Sequence, residues 1–233
     1  SMDIWGNTAV FVALAKFQEP RAVGPIIKRM KAGSHPVRSS AAYALGMLKD
    51  RRATEPLIRL LGDRFDDVRM TAVESLGEIG DHRAVEPLIR LLTDGTLGVP
   101  HRAVKALGQI GDKRAVDPLI ALLDDDSLGE LAAESLGMIG DPKAVKPLTV
   151  HLRKAARGPG RDVYERGGLL YSASKALAAL DYTRAVSVLE EMHLEAEEPL
   201  RGEIQKVLRE LRRARKAKDA EPGTPADADG LRR

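Results

Sequence analysis

The sequence predicts an all-α protein, a right-handed α-solenoid of about six two-helix repeats closed by a C-terminal capping helix. Three observations carry that expectation. One phrase returns along the chain, each copy has the apolar spacing of two helices, and aromatic residues supply only 3% of a chain that is 43% hydrophobic. The apolar share lies mainly in Leu, Ala, Val and Ile, where Ala lets helix axes approach and Leu keeps its rotamer freedom. An all-β chain would carry more aromatic and β-branched residues.

The phrase ALGMLKDRRATEPLIRLL at 44–61 returns as SLGEIGDHRAVEPLIRLL at 75–92, ALGQIGDKRAVDPLIALL at 106–123 and SLGMIGDPKAVKPLTVHL at 135–152. Diverged copies flank these, ALAKFQEPRAVGPIIKRM at 13–30 and ALAALDYTRAVSVLEEMH at 176–193. Their shared leucine falls at Leu14, Leu45, Leu76, Leu107, Leu136 and Leu177, giving spacings of 31, 31, 31, 29 and 41 residues. Such a period marks a stacked-repeat architecture.

Each copy reads as two helices. In VRMTAVESLGEIG, Val68, Ala72, Val73, Leu76 and Ile79 share one helical face. Gly80 supplies the stop, and Asp81 caps the next helix by accepting bonds from its free amides. That helix, expected over 82–94, carries Ala84, Val85, Leu88, Ile89, Leu91 and Leu92 on its apolar side. Pro87 falls near its first turn, where a missing N–H costs little, and Pro25, Pro56, Pro118 and Pro147 hold the same place. One such unit cannot bury its apolar face alone, so neighbours must bury it jointly.

Residues 199–218 predict an amphipathic capping helix, with Leu200, Ile204, Val207, Leu208 and Leu211 inward and Arg and Lys outward. The stretch from 219 to 233 lacks periodicity and is rich in Pro, Gly, Ala and Asp, a composition expected to be disordered. The organisation expected is therefore one domain, 1–218, with an insertion at about 153–168 that accounts for the spacing of 41, followed by the tail.

The phrase VRxxAxxxLGxIGDxRAVxPLIxLL closely resembles the short HEAT-like repeat family first described in phycobilisome lyases. The resemblance covers residues 8–194. It implies a solenoid whose second helices line a concave face, and it spans chromophore lyases, iron-dependent hydroxylases and signalling scaffolds. The hydroxylases would need His-Glu pairs at the start of their inner helices, and converging ligands are what a metal centre requires. This chain has Ser39-Ser40, Met70-Thr71, His101-Arg102 and Glu130-Leu131 there, and no His-Glu dipeptide. The resemblance thus argues against a di-iron centre.

Aligning the copies on the shared leucine isolates positions that should face the groove and that differ from copy to copy. These are Tyr43 and Met47, then Met70, Glu74 and Glu78, then His101, Arg102, Lys105 and Gln109. Glu130, Glu134 and Met138 follow, with Tyr171 and Lys175 in the last copy. A surface tailored to a ligand would vary in this way while the framework repeats. One column runs Tyr43, Glu74, Lys105, Glu134, Lys175, so Glu–Lys pairing between neighbouring repeats is one expectation. The other is a basic centre of His101, Arg102 and Lys105 flanked by acidic repeats, which would set a partner's register. Tyr43, Met47, Met70, Met138 and Tyr171 would then be apolar anchors. The insertion reads as a glycine-broken basic loop, with Arg157, Arg161 and Arg166 as candidate contacts.

The chain has no cysteine, which removes disulfides and thiolate chemistry and suits a cytoplasmic protein. No apolar run approaches the ~20 residues of a membrane span. The amino end lacks the basic-then-apolar pattern of a signal peptide. The net charge of +3 lies mostly in residues 213–233, leaving a nearly neutral body that would hold duplex phosphate weakly. No nucleophile-elbow, Walker or dinucleotide motif is present, and no cofactor is expected. The expectation is a non-enzymatic scaffold whose partner is another protein or peptide, with no membrane insertion and neither nucleic acid nor a small molecule favoured. A bilin-lyase-like subunit and a HEAT-like nucleic-acid-binding module stand as alternatives that the resemblance keeps open.

Overall fold

A computed structural model describes residues 3–96, 98–157 and 163–220. Helices follow in the order α1 (Asp3–Lys16), α2 (Val23–Ala32), α3 (His35–Leu48), α4 (Thr54–Leu60), α5 (Asp66–Ile79), α6 (Val85–Arg90) and α7 (Val99–Ile110). The series continues with α8 (Val116–Ala121), α9 (Gly129–Ile139), α10 (Val145–Arg157), α11 (Val163–Leu180), α12 (Tyr182–Glu195) and α13 (Leu200–Ala220). Inner helices α1, α3, α5, α7, α9 and α11 alternate with outer helices α2, α4, α6, α8, α10 and α12, α13 packs on α11 and α12, and no strand occurs among the described residues. This is an all-α solenoid, as the repeat pattern predicts. None of its described helices is long and apolar enough to cross a membrane.

The repeat's local chemistry is visible at each corner. Inner helices α5, α7 and α9 end at Gly80, Gly111 and Gly140, with φ of 68°, 73° and 75°, a left-handed conformation that glycine adopts without a Cβ penalty. The aspartate that follows accepts from the backbone N–H two residues on: Asp81 from Arg83 at 3.0 Å, Asp112 from Arg114 at 2.9 Å, Asp141 from Lys143 at 2.9 Å. The outer helices differ from the single helix expected over 82–94. A 3-10 turn, His82–Ala84, precedes α6, and another, Leu91–Thr93, follows it. The proline explains the first turn, because its ring collides with the carbonyl four residues back and disfavours a regular α-turn there.

The arginine after each cap links one repeat to the next. Arg52, Arg83 and Arg114 each bind their own capping aspartate and donate to the backbone carbonyl of Pro20, Arg51 and His82, at 2.9, 3.0 and 2.8 Å. At the next joint Lys143 stands in the arginine's place and bonds to Asp117 instead, at 2.7 Å.

Leu45, Leu76, Leu107, Leu136 and Leu177 are fully buried at the centre of the stack. Consecutive inner helices pack directly on one another, and each of the outer helices α2, α4, α6, α8 and α10 packs chiefly on the inner helix that follows it. Small residues permit the inner contact. A Cβ on Gly46 would lie 2.7 Å from Ser75 Oγ, and one on Gly137 would lie 2.8 Å from the Cα of Ala176. Ser75 Oγ donates to the Ala42 carbonyl at 2.8 Å, and Ser135 Oγ to that of Val104 at 3.0 Å, so these small polar contacts are satisfied. Tight approach along one row and looser approach along the other put the inner helices on the concave side.

At the carboxyl end, Ile204, Val207, Leu208 and Leu211 of α13 are buried and Leu200 is half-buried. The helix runs to Ala220, past the expected boundary at 218, and residues 221–233 lie outside the described part. The insertion is corrected more substantially. Residues 153–157 continue α10 and residues 163–168 begin α11, so most of the expected loop is helical. Gly167 and Gly168 do not break α11, because the buried Leu169, Leu170 and Ala173 that follow anchor that end of the helix by packing. Arg161 and the side chains of Arg157 and Arg166 fall outside the described residues.

Candidate binding groove on the inner helices

Two clefts open between inner helices. The larger, about 350 Å³, is lined from α3, α5 and α7 by Tyr43, Met47, Glu74, Glu78, Arg102, Lys105 and Gln109, with Gly46, Ser75 and Ala106 as its floor. The second, about 280 Å³, is lined from α9 and α11 by Glu134, Gly137, Met138, Ser172, Lys175, Ala176 and Ala179. Ten of the fourteen residues expected on the concave face therefore meet in these clefts. Tyr171 stands on the same face, 38% exposed, with the Lys175 ammonium 5.7 Å from its ring centroid. Such a cation over an aromatic face is attracted by the ring's quadrupole. Tyr43 and Met138 are 50% and 52% exposed, so each offers apolar surface to a partner.

Three further expected residues lie outside the lining of both clefts. His101 Nε2 meets Ser127 Oγ at 3.0 Å in a separate cleft of about 260 Å³ built from the loops before α7 and α9. One residue along a helix is a rotation of about 100°, enough to carry His101 to that edge while Arg102 faces the groove. Met70 is half-buried beside Gly98. Glu130 accepts from Ser172 Oγ at 2.9 Å and ties α9 to α11. The basic centre expected from His101, Arg102 and Lys105 is thus divided.

The charge pairing also departs from the column pattern. Arg102 Nε donates to Glu74 at 2.6 Å, and Lys49 Nζ lies 3.2 Å from Glu78. Lys105 pairs with neither Glu74 nor Glu134, and Glu134 does not pair with Lys175, among the described residues. Lys49 is the groove-edge residue that the sequence alignment overlooked. It holds the left-handed position occupied by Gly80, Gly111 and Gly140 elsewhere, with φ of 51°. A lysine in a glycine column was the available signal. Ser172 and Ala179 line the second cleft as well, from the small residues of α11.

The histidines are dispersed. His35 stacks on Phe65 with ring centroids 4.2 Å apart, His82 Nδ1 is 2.8 Å from Asp112, and His151 Nδ1 is 3.7 Å from Asp124. No three His, Asp or Glu side chains among the described residues are grouped as metal ligands would be.

A family model for HEAT repeats matches residues 7–69, 24–99, 54–131 and 98–166. The chain belongs to the HEAT-repeat family. This HEAT-repeat chain is similar to the complex of CpcE and CpcF of phycocyanin lyase from Nostoc, at 23% identity and a TM-score of 0.53, over 91% of each chain. It is similar to computationally designed armadillo repeat proteins for modular peptide recognition, at 20% identity and a TM-score of 0.52, over 79% of this chain and 98% of the other. Importin beta aligns at 16% identity and a TM-score of 0.57, over 79% of this chain and 30% of that one. At these identities the likeness is one of fold. No curated protein sequence matches the HEAT-repeat chain.

Proposed function

We propose that this HEAT-repeat protein is a non-enzymatic scaffold that holds a protein or peptide partner in the groove of α3, α5, α7, α9 and α11, and that it acts in the cytoplasm. The observation that carries the reading is the contrast between framework and groove. Leu45, Leu76, Leu107, Leu136 and Leu177 repeat and are buried, whereas Tyr43, Lys105, Glu134 and Met138 differ from repeat to repeat and face water inside two clefts. Stacked repeats commonly use an extended concave surface of this kind for binding. The computationally designed armadillo repeat proteins of similar fold serve modular peptide recognition, which supports the same use of the groove here. Likeness of fold to a lyase complex does not transfer lyase chemistry, since function resides in the site.

Affinity capture from native lysate, with and without nuclease, tests the proposal. An Arg102→Glu/Lys105→Glu variant should lose a nuclease-resistant protein partner. Reversing Arg90 and Lys146, exposed on outer helices α6 and α10, should leave it bound. Nuclease-sensitive capture, or a coloured tetrapyrrole retained through purification, would replace the scaffold reading with a nucleic-acid-binding or a lyase-like one.

A further inference from the structure

Three charges in one line of the groove are left unanswered by the fold. Lys105, Glu134 and Lys175 occupy the same place on α7, α9 and α11, two residues before the buried Leu107, Leu136 and Leu177. All three are exposed, and none forms an ion pair among the described residues. The neighbouring acids are engaged: Glu74 by Arg102, Glu78 by Lys49 and Glu130 by the Ser172 hydroxyl. The unmatched charges therefore run positive, negative, positive across three consecutive helices.

Packed helices lie about 8–10 Å apart. An extended or polyproline-like chain advances about 3.1–3.4 Å per residue, so every third residue of a bound segment faces the next inner helix. We infer that the groove takes an extended peptide segment whose charges alternate at every third residue, acidic opposite Lys105, basic opposite Glu134 and acidic opposite Lys175. Tyr43 holds the same place on α3, two helices from Lys105, with the already neutralised Glu74 between. It takes an apolar side chain six residues from the first acid. Each exposed ion pair contributes little by itself. Selectivity comes from register, because a segment shifted by one helix sets like charges against each other. The inference rests on the groove being the binding surface.

The test is selection of random sixteen-residue peptides displayed on phage, run on the full chain and in parallel on a Glu134→Lys variant. The full chain should enrich peptides with acid, base and acid at three-residue spacing. The variant should enrich an acid at the middle place, and a matched peptide should bind its own form roughly tenfold tighter than the other, equal to about 1.4 kcal/mol. Peptides lost with Lys105→Glu but lacking the pattern would overturn this inference and leave the groove reading standing. Peptides indifferent to Lys105→Glu, or no enrichment at all, would overturn both. Both substituted positions are exposed, and circular dichroism of each variant checks that it remains folded.

Discussion

Arg102 reaches from α7 to the Glu74 carboxylate of α5 at 2.6 Å and leaves Lys105, one turn further on, without a carboxylate. Glu74 and Lys105 share a column in the repeat, so sequence spacing alone pairs them. The planar guanidinium fork makes Arg102 the better partner for a carboxylate. Both side chains of the pair are more than a third exposed, and pairs of that kind contribute about 0–1 kcal/mol. Arg102→Ala should therefore lower the unfolding free energy by no more than about 1 kcal/mol in urea titration. The same variant should weaken partner binding, separating a groove role from a structural one.

Glycines in the two helix rows should respond oppositely to alanine. A Cβ at Gly137 would meet the Cα of Ala176 at 2.8 Å, a backbone contact that cannot yield without moving α11. Overpacking there should outweigh the gain in helix propensity and destabilise by roughly 1–2 kcal/mol. Gly24 in α2 has open space where its Cβ would point, so Gly24→Ala should stabilise by up to about 1 kcal/mol. Thermal unfolding of the two variants checks the sign of each.

The missing rung of the arginine ladder is open to repair. Arg83 and Arg114 each donate to a carbonyl of the preceding repeat, and Lys143 at the next joint does not. Lys143→Arg should let the side chain hold Asp141 and reach the Lys113 carbonyl, raising stability by about 0.5–1 kcal/mol. Arg114→Ala should lower it by a similar amount. An unchanged Lys143→Arg would mean that the ladder follows from the stacking and does not add to it.

Acid should loosen the joints between repeats. Hydrogen bonds from the Arg83 guanidinium, with further bonds from the Arg83 amide and the Thr54 hydroxyl, hold the Asp81 carboxyl well below the usual carboxylate range. Asp112 and Asp63 are lowered likewise, first by the side chains of Arg114 and Arg38. A pKa lower in the folded state than in the unfolded one adds stability above the ordinary carboxylate value near 4. That stability is lost as the pH falls through the folded values. The melting temperature should therefore decline from about pH 5 downward, and Asp81→Asn should flatten part of the decline while costing about 1–2 kcal/mol at neutral pH.

The repeat framework was legible because burial and turn chemistry recur at fixed spacing. The leucine marks the core, the glycine marks the left-handed stop, and the aspartate marks the cap. Membership of the groove was largely legible too, since Lys105 and Glu134 sit two places from a buried leucine on an otherwise apolar stretch. The ladder was not, because Arg83 bonds to a backbone carbonyl 32 residues earlier, and a carbonyl has no sequence signature. Nor was the pairing of Glu74 or the turn of His101 toward Ser127, which depend on side-chain reach and on one step of helical rotation. The insertion misled for a different reason. Its glycines signal a break locally, while the buried Leu169, Leu170 and Ala173 just beyond them anchor α11 through tertiary packing.

The central claim is that the inner helices form the binding surface, and site-specific photo-crosslinking in the native cell tests it most directly. A photoreactive residue would replace Tyr43 or Met138 in the groove, and Val150, 58% exposed on outer helix α10. The account predicts a protein adduct of defined mass at Tyr43 and Met138 and none at Val150. Adducts at Val150 with the groove positions silent would contradict it and move the interface to the outer helices.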